Sequence, residues 1–169
     1  MVYEYVIRLV GAGIASIIYF LPVSPEYSNN TLMLNTTLTS PVTSEITELV
    51  KNRFEFGVRY SFVVIVNDKR SFKSEQVNSL SKKENWLVNN EAVNKTDIQK
   101  KIGSATALFP NLKFDENDEI YIYVKATIEP DEQFKKITGL KTRVLWNHYV
   151  PRLERHFIFK KGRFIINEI

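Results

Sequence analysis

The sequence contains no cysteine and is poor in glycine and histidine. The absence of cysteine excludes disulfides, thiolate metal sites, cysteine nucleophiles and lipid attachment through a thiol. With only six glycines in 169 residues, the sequence has neither a phosphate-binding glycine loop nor a Gly-x-Ser-x-Gly elbow. His148 and His156 are separated by Pro151, so they do not share a helix face as paired zinc ligands do. We therefore predict no catalytic residue, no metal and no cofactor.

The acidic run Asp115–Glu119 superficially resembles the start of a calcium-binding loop. The pattern fails because a central glycine is missing and because the position that needs a closing glutamate holds Ala126. A solvated turn before a strand is the better interpretation of this run.

The opening stretch includes Gly11–Ser16, whose letters GAGIAS could be taken for a dinucleotide-binding turn. That fingerprint needs an amphipathic helix after the glycines, whereas Ile17–Leu21 is apolar on every side and is followed by proline. The uncharged segment Leu9–Pro25, preceded by Arg8, has instead the layout of a secretory signal. Residues 1–25 are therefore predicted to be a signal peptide or a membrane anchor, with cleavage left open. The alternative is a buried N-terminal core helix.

Residues 26–169 are predicted to form a single α+β domain. Helical spacing of apolar residues predicts one helix between Pro41 and Gly57 and a second between Asn94 and Pro110. The apolar face of the second helix extends to Phe109. Period-two alternation and β-branched or aromatic content predict strands on either side of these helices. The predicted strands are Leu32–Thr39, Val58–Asn67, Phe72–Val88 and Glu119–Ile128.

The order strand, helix, strand, strand, helix, strand is that of a split βαβ arrangement. Such an arrangement is an antiparallel sheet with two helices packed on one face. The remaining part, residues 131–169, is irregular and basic. It is predicted to end in a hairpin formed by His156–Phe159 and Arg163–Ile166.

The charge of the chain is concentrated in residues 131–169. The formal net charge is +4, and this part alone has nine Lys or Arg against four Asp or Glu. Basic residues interleaved with aromatics can bind polyanions, whereas the alternative is that the aromatics are core and the charges are their exposed neighbours. Anionic lipid is favoured over nucleic acid, which an exported protein seldom meets. The candidate anion-binding residues are Lys135, Lys136, Lys141, Arg143, Lys160, Lys161 and Arg163.

The order of the predicted helices and strands, together with a few residues within them, can be compared with a known family. A helix leads through Gly57 into a strong strand, Ser79–Ser81 and Trp86–Val88 lie on the returning strand, and an alternating strand Ile120–Ile128 precedes a late Trp146. Together these features resemble an uncharacterised bacterial exported domain family, the domain of unknown function numbered four-three-nine-zero. The resemblance would cover most of residues 32–150. It implies an extracytoplasmic envelope protein and no activity, cofactor or catalytic residue.

These observations favour a non-enzymatic protein that is exported or anchored at the outer face of a bacterial cytoplasmic membrane. Its expected role is that of a binding or assembly accessory, with the membrane contacted through residues 1–25 and with an envelope protein or anionic lipid as partner. Two alternatives stay open. One is a soluble enzyme without a recognisable motif, and the other is polyanion binding, to lipid or nucleic acid, through the basic C-terminal part.

Overall fold

The computed structural model describes residues 18–167, which form two antiparallel sheets and three short α-helices. The helices are α1 (Ser44–Lys51), α2 (Ile98–Gly103) and α3 (Glu132–Thr138), and 3-10 turns cover Lys95–Asp97 and Thr142–Trp146. The strands are β1 (Ser24–Ser28), β2 (Thr31–Thr37), β3 (Phe56–Val66), β4 (Arg70–Lys82), β5 (Trp86–Val88), β6 (Glu91–Val93), β7 (Ser104–Phe109), β8 (Glu119–Ile128), β9 (Arg152–Lys160) and β10 (Arg163–Ile166).

The larger sheet has the strand order β10-β9-β8-β3-β4-β5-β6, and the smaller sheet has the order β1-β2-β7. Strand β3 lies at the centre of the larger sheet, and its residues alternate strictly between buried and half-buried. The even-numbered residues from Phe56 to Val66 therefore face one side, where each is 2% exposed or less. Ile120 and Ile122 of β8 and Leu32 and Leu34 of β2 belong to the same core cluster. The main core thus lies between the two sheets.

Residues 18–25 belong to the folded domain, although hydropathy assigned them to a signal peptide or anchor. Ile18 and Phe20 are buried and are part of the main core. The ring of Phe20 lies edge-on to Tyr60, with 6.3 Å between ring centroids, and Ser24 already lies in β1. The domain therefore extends upstream of the predicted boundary after residue 25. The rest of the predicted signal or anchor, residues 1–17, lies outside the described residues.

The second predicted helix is shorter than its apolar spacing indicated. Helix α2 ends at Gly103, and Ser104–Phe109 forms β7, which pairs with β2. Buried and exposed residues alternate along β7 with period two, a pattern that the helical interpretation overlooked. Glycine is required where the helix gives way to the strand, because a Cβ at Gly103 would lie 2.3 Å from the backbone oxygen of Leu38. Leu38 N donates a hydrogen bond to the Gly103 carbonyl at 2.7 Å.

The predicted α+β class is confirmed, since the described chain is mostly antiparallel sheet with a minor helical part. The sequence interpretation had a single sheet, whereas the structure has two. The difference arises from β1, for which no strand was predicted and whose first two residues were assigned to the signal or anchor, and from β7, which was assigned to a helix. The expected C-terminal hairpin is present as β9 and β10, with Arg163 opposite Lys160.

Candidate functional site

A cleft of about 460 Å³ lies where β8 ends and α3 begins. Ile128 and Val150 contribute apolar surface, and three cations line it, Lys135 of α3 and the two residues Lys141 and Arg143 that follow this helix. Its volume is in the range of small-molecule sites, roughly 300–1,000 Å³. We call this space the cleft. Its other polar lining residues are Thr127, Asp131, Glu132, Thr142, His148 and Tyr149.

Helix α3 is fixed at both ends and along its buried side. The Asp131 carboxylate accepts a hydrogen bond from Phe134 N at 2.9 Å, which caps the helix. Gly139 ends the helix with φ of 72°, a left-handed conformation that glycine adopts without strain. The Phe134 ring packs edge-on against Phe54 at a centroid distance of 5.7 Å. Lys135 therefore reaches the cleft from a fixed helix.

The segment that carries Lys141 and Arg143 is anchored by Trp146 and Thr142. The Trp146 side chain is fully buried, and its Nε1 donates to the Pro41 carbonyl at 3.0 Å. The Thr142 hydroxyl donates to the backbone oxygen of Glu129 at 2.9 Å, which joins the segment to the end of β8. Both cations thus project from backbone that packing and hydrogen bonds hold in place, as a preformed site requires.

His148 and Tyr149 enter the cleft from a turn with left-handed backbone. Asn147 has φ of 51° and His148 has φ of 60°, a region in which Asn and His are enriched among non-glycine residues. The turn is held because His148 N donates to the Arg143 carbonyl at 2.9 Å and Tyr149 N donates to the Trp146 carbonyl at the same distance. The same backbone conformation occurs at other turns of the described chain, for example at Asn67 and Lys161.

The cleft has an excess of positive charge. Lys135, Lys141 and Arg143 are exposed, and among residues 18–167 none of them forms an ion pair. The two lining carboxylates, Asp131 and Glu132, both come from the start of α3, where Asp131 caps the helix. Three cations against two carboxylates leave this concave, partly apolar space with a net positive charge, which favours an anion as ligand.

The other candidate anion-binding residues lie elsewhere. Lys136 is exposed on α3 but does not line the cleft. Lys160, Lys161 and Arg163 lie at the turn between β9 and β10, residues 160–163, which we call the hairpin tip. Because β9 runs from Arg152, beside the cleft, to Lys160, the hairpin tip is about 27 Å away from that end. The predicted basic patch is therefore divided into two separate clusters.

The hairpin tip is a tight turn next to acidic residues. Lys161 and Gly162 both have positive φ, 50° and 73°, as a two-residue type I′ turn requires. Lys161 N donates to a Glu116 carboxylate oxygen at 2.9 Å. Phe159 N donates to the Asp118 carbonyl at 2.9 Å, so the whole acidic run is held beside the tip.

The acidic run forms a turn, as predicted, but not a fully solvated one. Asp118 is 7% exposed, and its carboxylate accepts from Asp115 N at 2.8 Å and from Asn67 Nδ2 at 2.6 Å. His156 stacks on Tyr121 at a centroid distance of 4.1 Å, whereas His148 lines the cleft. Within residues 18–167 no three His, Asp or Glu side chains are grouped as metal ligands.

The three cations of the cleft were predicted from the sequence, whereas the residues that complete the cleft were not. No spacing along the chain connects Thr127 at the end of β8 with His148 and Tyr149, which a turn brings to the same place. The pair Asn147-His148, two residues that tolerate left-handed backbone, is the one local signal that could have indicated this turn.

No family model, no curated protein and no solved structure matches this chain. The resemblance to an exported bacterial family therefore stays a prediction. Of the helices in residues 18–167, none has the length and apolar character needed to cross a membrane.

Proposed function

We propose that this chain is a non-enzymatic binding module that holds an organic phosphate in the cleft. The observation that carries the proposal is the convergence of Lys135, Lys141 and Arg143 on one concave space without carboxylate partners among residues 18–167. Three cations suit a phosphate group, which has about −1.5 to −2 charge near neutral pH, better than a single carboxylate. Arg143 can bind phosphate oxygens through two parallel hydrogen bonds.

The remaining groups of the cleft support an organic rather than an inorganic ligand. Ile128, Pro130 and Val150 provide apolar surface beside the cations, and the Tyr149 side chain is 48% exposed at the rim. An apolar or aromatic portion of a ligand can pack there while its phosphate is bound by the cations.

The test is a titration of the full chain with inorganic phosphate and with acetate, followed by backbone amide NMR signals. We expect phosphate to bind more tightly than acetate and to shift signals around Lys141 and Arg143. The double variant Lys141→Gln/Arg143→Gln should weaken phosphate binding about a hundredfold, since each charged hydrogen bond that is lost costs on the order of a factor of ten.

A matched control removes the same charge from the hairpin tip. The variant Lys160→Gln/Lys161→Gln has the same net charge as the cleft variant, and we expect its phosphate affinity to stay within about twofold of the unmodified chain. Melting temperatures of both variants check that each is folded. Equal losses in the two variants would mean that binding depends on net charge, and the proposal would then be wrong.

We further propose that the module is exported, with a signal peptide in preference to a membrane anchor. What supports this is that Ile18 and Phe20 are core residues, so the uncharged stretch before the described core is Leu9–Ile17. This is about half of the roughly 20 apolar residues of a membrane span and lies within the ~7–15 residues of a signal's apolar region. Cell fractionation with N-terminal sequencing should find an extracytoplasmic protein whose first residue precedes Ile18. Full-length protein in the cytosol contradicts the proposal.

A further inference from the structure

Two cations face each other on the outer side of the larger sheet, beside the cleft. Lys125 of β8 and Arg152 of β9 are directly opposite partners in the antiparallel register, and both side chains are exposed. Residues at directly opposite positions have Cβ atoms about 4.5–5.5 Å apart, and like charges there destabilise a sheet. A repulsive pair in an otherwise regular ladder indicates a role other than stabilising the sheet.

Two carboxylates of this face are engaged by another partner, whereas Glu154 is exposed and lines the same space as the two cations. Glu75 and Glu129 both bind Arg59, each at 2.5 Å, and the hydrogen bond that Arg59 donates to Glu129 contributes most to raising the pKa of the Arg59 guanidinium. Glu154 lies directly opposite Tyr123. Burial first, and then this carboxylate, raise the pKa of the Tyr123 phenol. Among residues 18–167, neither Lys125 nor Arg152 forms an ion pair.

The pair is continuous with the cleft. A second concave space of about 470 Å³ is lined by Lys125 and Arg152 together with Ser61, Tyr123 and one carboxylate, that of Glu154. Thr127, which lines the cleft, is two residues from Lys125 on the same face of β8. Lys125 and Thr127 are therefore about 7 Å apart along the strand, so a ligand with separated phosphate groups can reach both spaces.

We propose that Lys125 and Arg152 form a second phosphate subsite, so that the natural ligand of this module has at least two phosphate groups. The inference rests on the proposed function, since it extends the cleft to the adjoining sheet face. One phosphate is bound by Lys135, Lys141 and Arg143, and the next is bound between Lys125 and Arg152, where it neutralises their repulsion. The source of such a ligand is either a soluble oligophosphate or the headgroup of a lipid with two phosphates.

The experiment compares ligands with one and with several phosphates on the full chain. Affinities for inorganic phosphate and tripolyphosphate are measured by calorimetry, and sedimentation measures binding to phosphatidylcholine vesicles with and without cardiolipin. The variants are Lys125→Gln and Arg152→Gln. Lys73→Gln is the control, because Lys73 is exposed on β4 of the same sheet, opposite Val63 and two strands from Lys125.

We expect a multi-phosphate probe to bind the unmodified chain at least about tenfold more tightly than inorganic phosphate. This gain should disappear in Lys125→Gln and Arg152→Gln and persist in Lys73→Gln, while all three variants still bind inorganic phosphate through Lys135, Lys141 and Arg143. A gain with tripolyphosphate alone identifies a soluble ligand, and a gain with cardiolipin vesicles alone identifies a lipid headgroup. Either result supports the subsite.

Three results would overturn the inference. If inorganic phosphate binds and the multi-phosphate probes show no gain, the second subsite does not exist while the proposed function stands. If no phosphate probe binds the unmodified chain, the proposed function fails and the subsite fails with it. The third result concerns stability, since removing one member of a repulsive pair should leave the melting temperature equal or higher. A clear decrease would show that the pair contributes to the fold itself.

Discussion

The cleft and the hairpin tip each have three cations, yet only the cleft has the surroundings of a binding site. In the cleft, Lys135, Lys141 and Arg143 come from two segments and face a concave space with apolar surface. At the hairpin tip, the cations lie around a two-residue turn, and Glu116 already accepts a hydrogen bond from that turn. We therefore expect equal numbers of charges to have different consequences, because the cleft is concave and partly apolar whereas the hairpin tip is an exposed turn.

The two regions also differ in what supports them. The cleft depends on Trp146, a fully buried indole that is hydrogen-bonded to Pro41 and packs 6.2 Å from the ring of Phe56. The hairpin depends on an aromatic cluster in which the half-buried Phe164 contacts Tyr27 and Phe159. One support is in the main core and the other is at the edge of the sheet, so they can be perturbed separately.

The largest expected effect comes from removing the support of the cleft. Trp146→Ala should lower the free energy of unfolding by about 3–5 kcal/mol, as large-to-small changes in cores do, and should abolish phosphate binding. Trp146→Phe keeps most of the volume and loses the hydrogen bond to Pro41, with a cost of about 1–2 kcal/mol. Urea unfolding and the phosphate titration measure both quantities.

Phe164→Ala is the matched change at the hairpin. Because the side chain is only half-buried, we expect a loss of about 1–2 kcal/mol and an unchanged affinity for phosphate. If Phe164→Ala weakens phosphate binding as much as Trp146→Phe does, the expected difference between the cleft and the hairpin is wrong.

Much of the larger sheet could be predicted from the sequence, because its central strands alternate clearly. Glu119–Ile128 was predicted with the bounds that β8 has, and Val58–Asn67 is close to β3. The turns that follow β3 and β5 also have a local signal, since Asn67 and Asn89 both have positive φ. Asparagine tolerates left-handed backbone better than other non-glycine residues, so it is a reliable local indicator of a turn.

The smaller sheet could not be predicted in the same way, since its outer strands are stabilised by distant residues. Ser24–Ser28 is polar and contains Pro25, but it pairs with β2, and the Tyr27 hydroxyl donates to the Leu112 carbonyl at 2.8 Å. Ile18 and Phe20 were assigned to a signal or anchor because hydropathy does not distinguish a membrane from a protein core. The cleft could be predicted only in part from the sequence. The basic residues of the C-terminal part are adjacent in the sequence but are distributed over about 27 Å in space.

A smaller effect is expected on stability at alkaline pH, and measuring it tests whether the cleft and the hairpin tip unfold together. The Tyr60 phenol is fully buried in β3, between the sheets, and its hydroxyl donates to the Ile102 carbonyl at 2.7 Å. Burial raises the pKa of this phenol well above its usual range. The unfolded chain therefore releases the proton near pH 10 while the folded chain retains it, so stability is unaffected below about pH 10 and falls as the pH rises beyond it.

Tyr60→Phe should reduce this alkaline loss at a cost of at most about 1 kcal/mol near neutral pH. The cost is small because the Ile102 carbonyl still accepts a hydrogen bond from Asn78 Nδ2 at 3.0 Å. Unfolding is followed at rising pH through the indole N–H signal of Trp146 and the amide signal of Phe164. Coincident transitions mean that the cleft and the hairpin tip share one cooperative sheet. If Phe164 loses its signal first, the hairpin unfolds independently, and differences in phosphate binding between the regions then reflect local order in addition to the arrangement of charge.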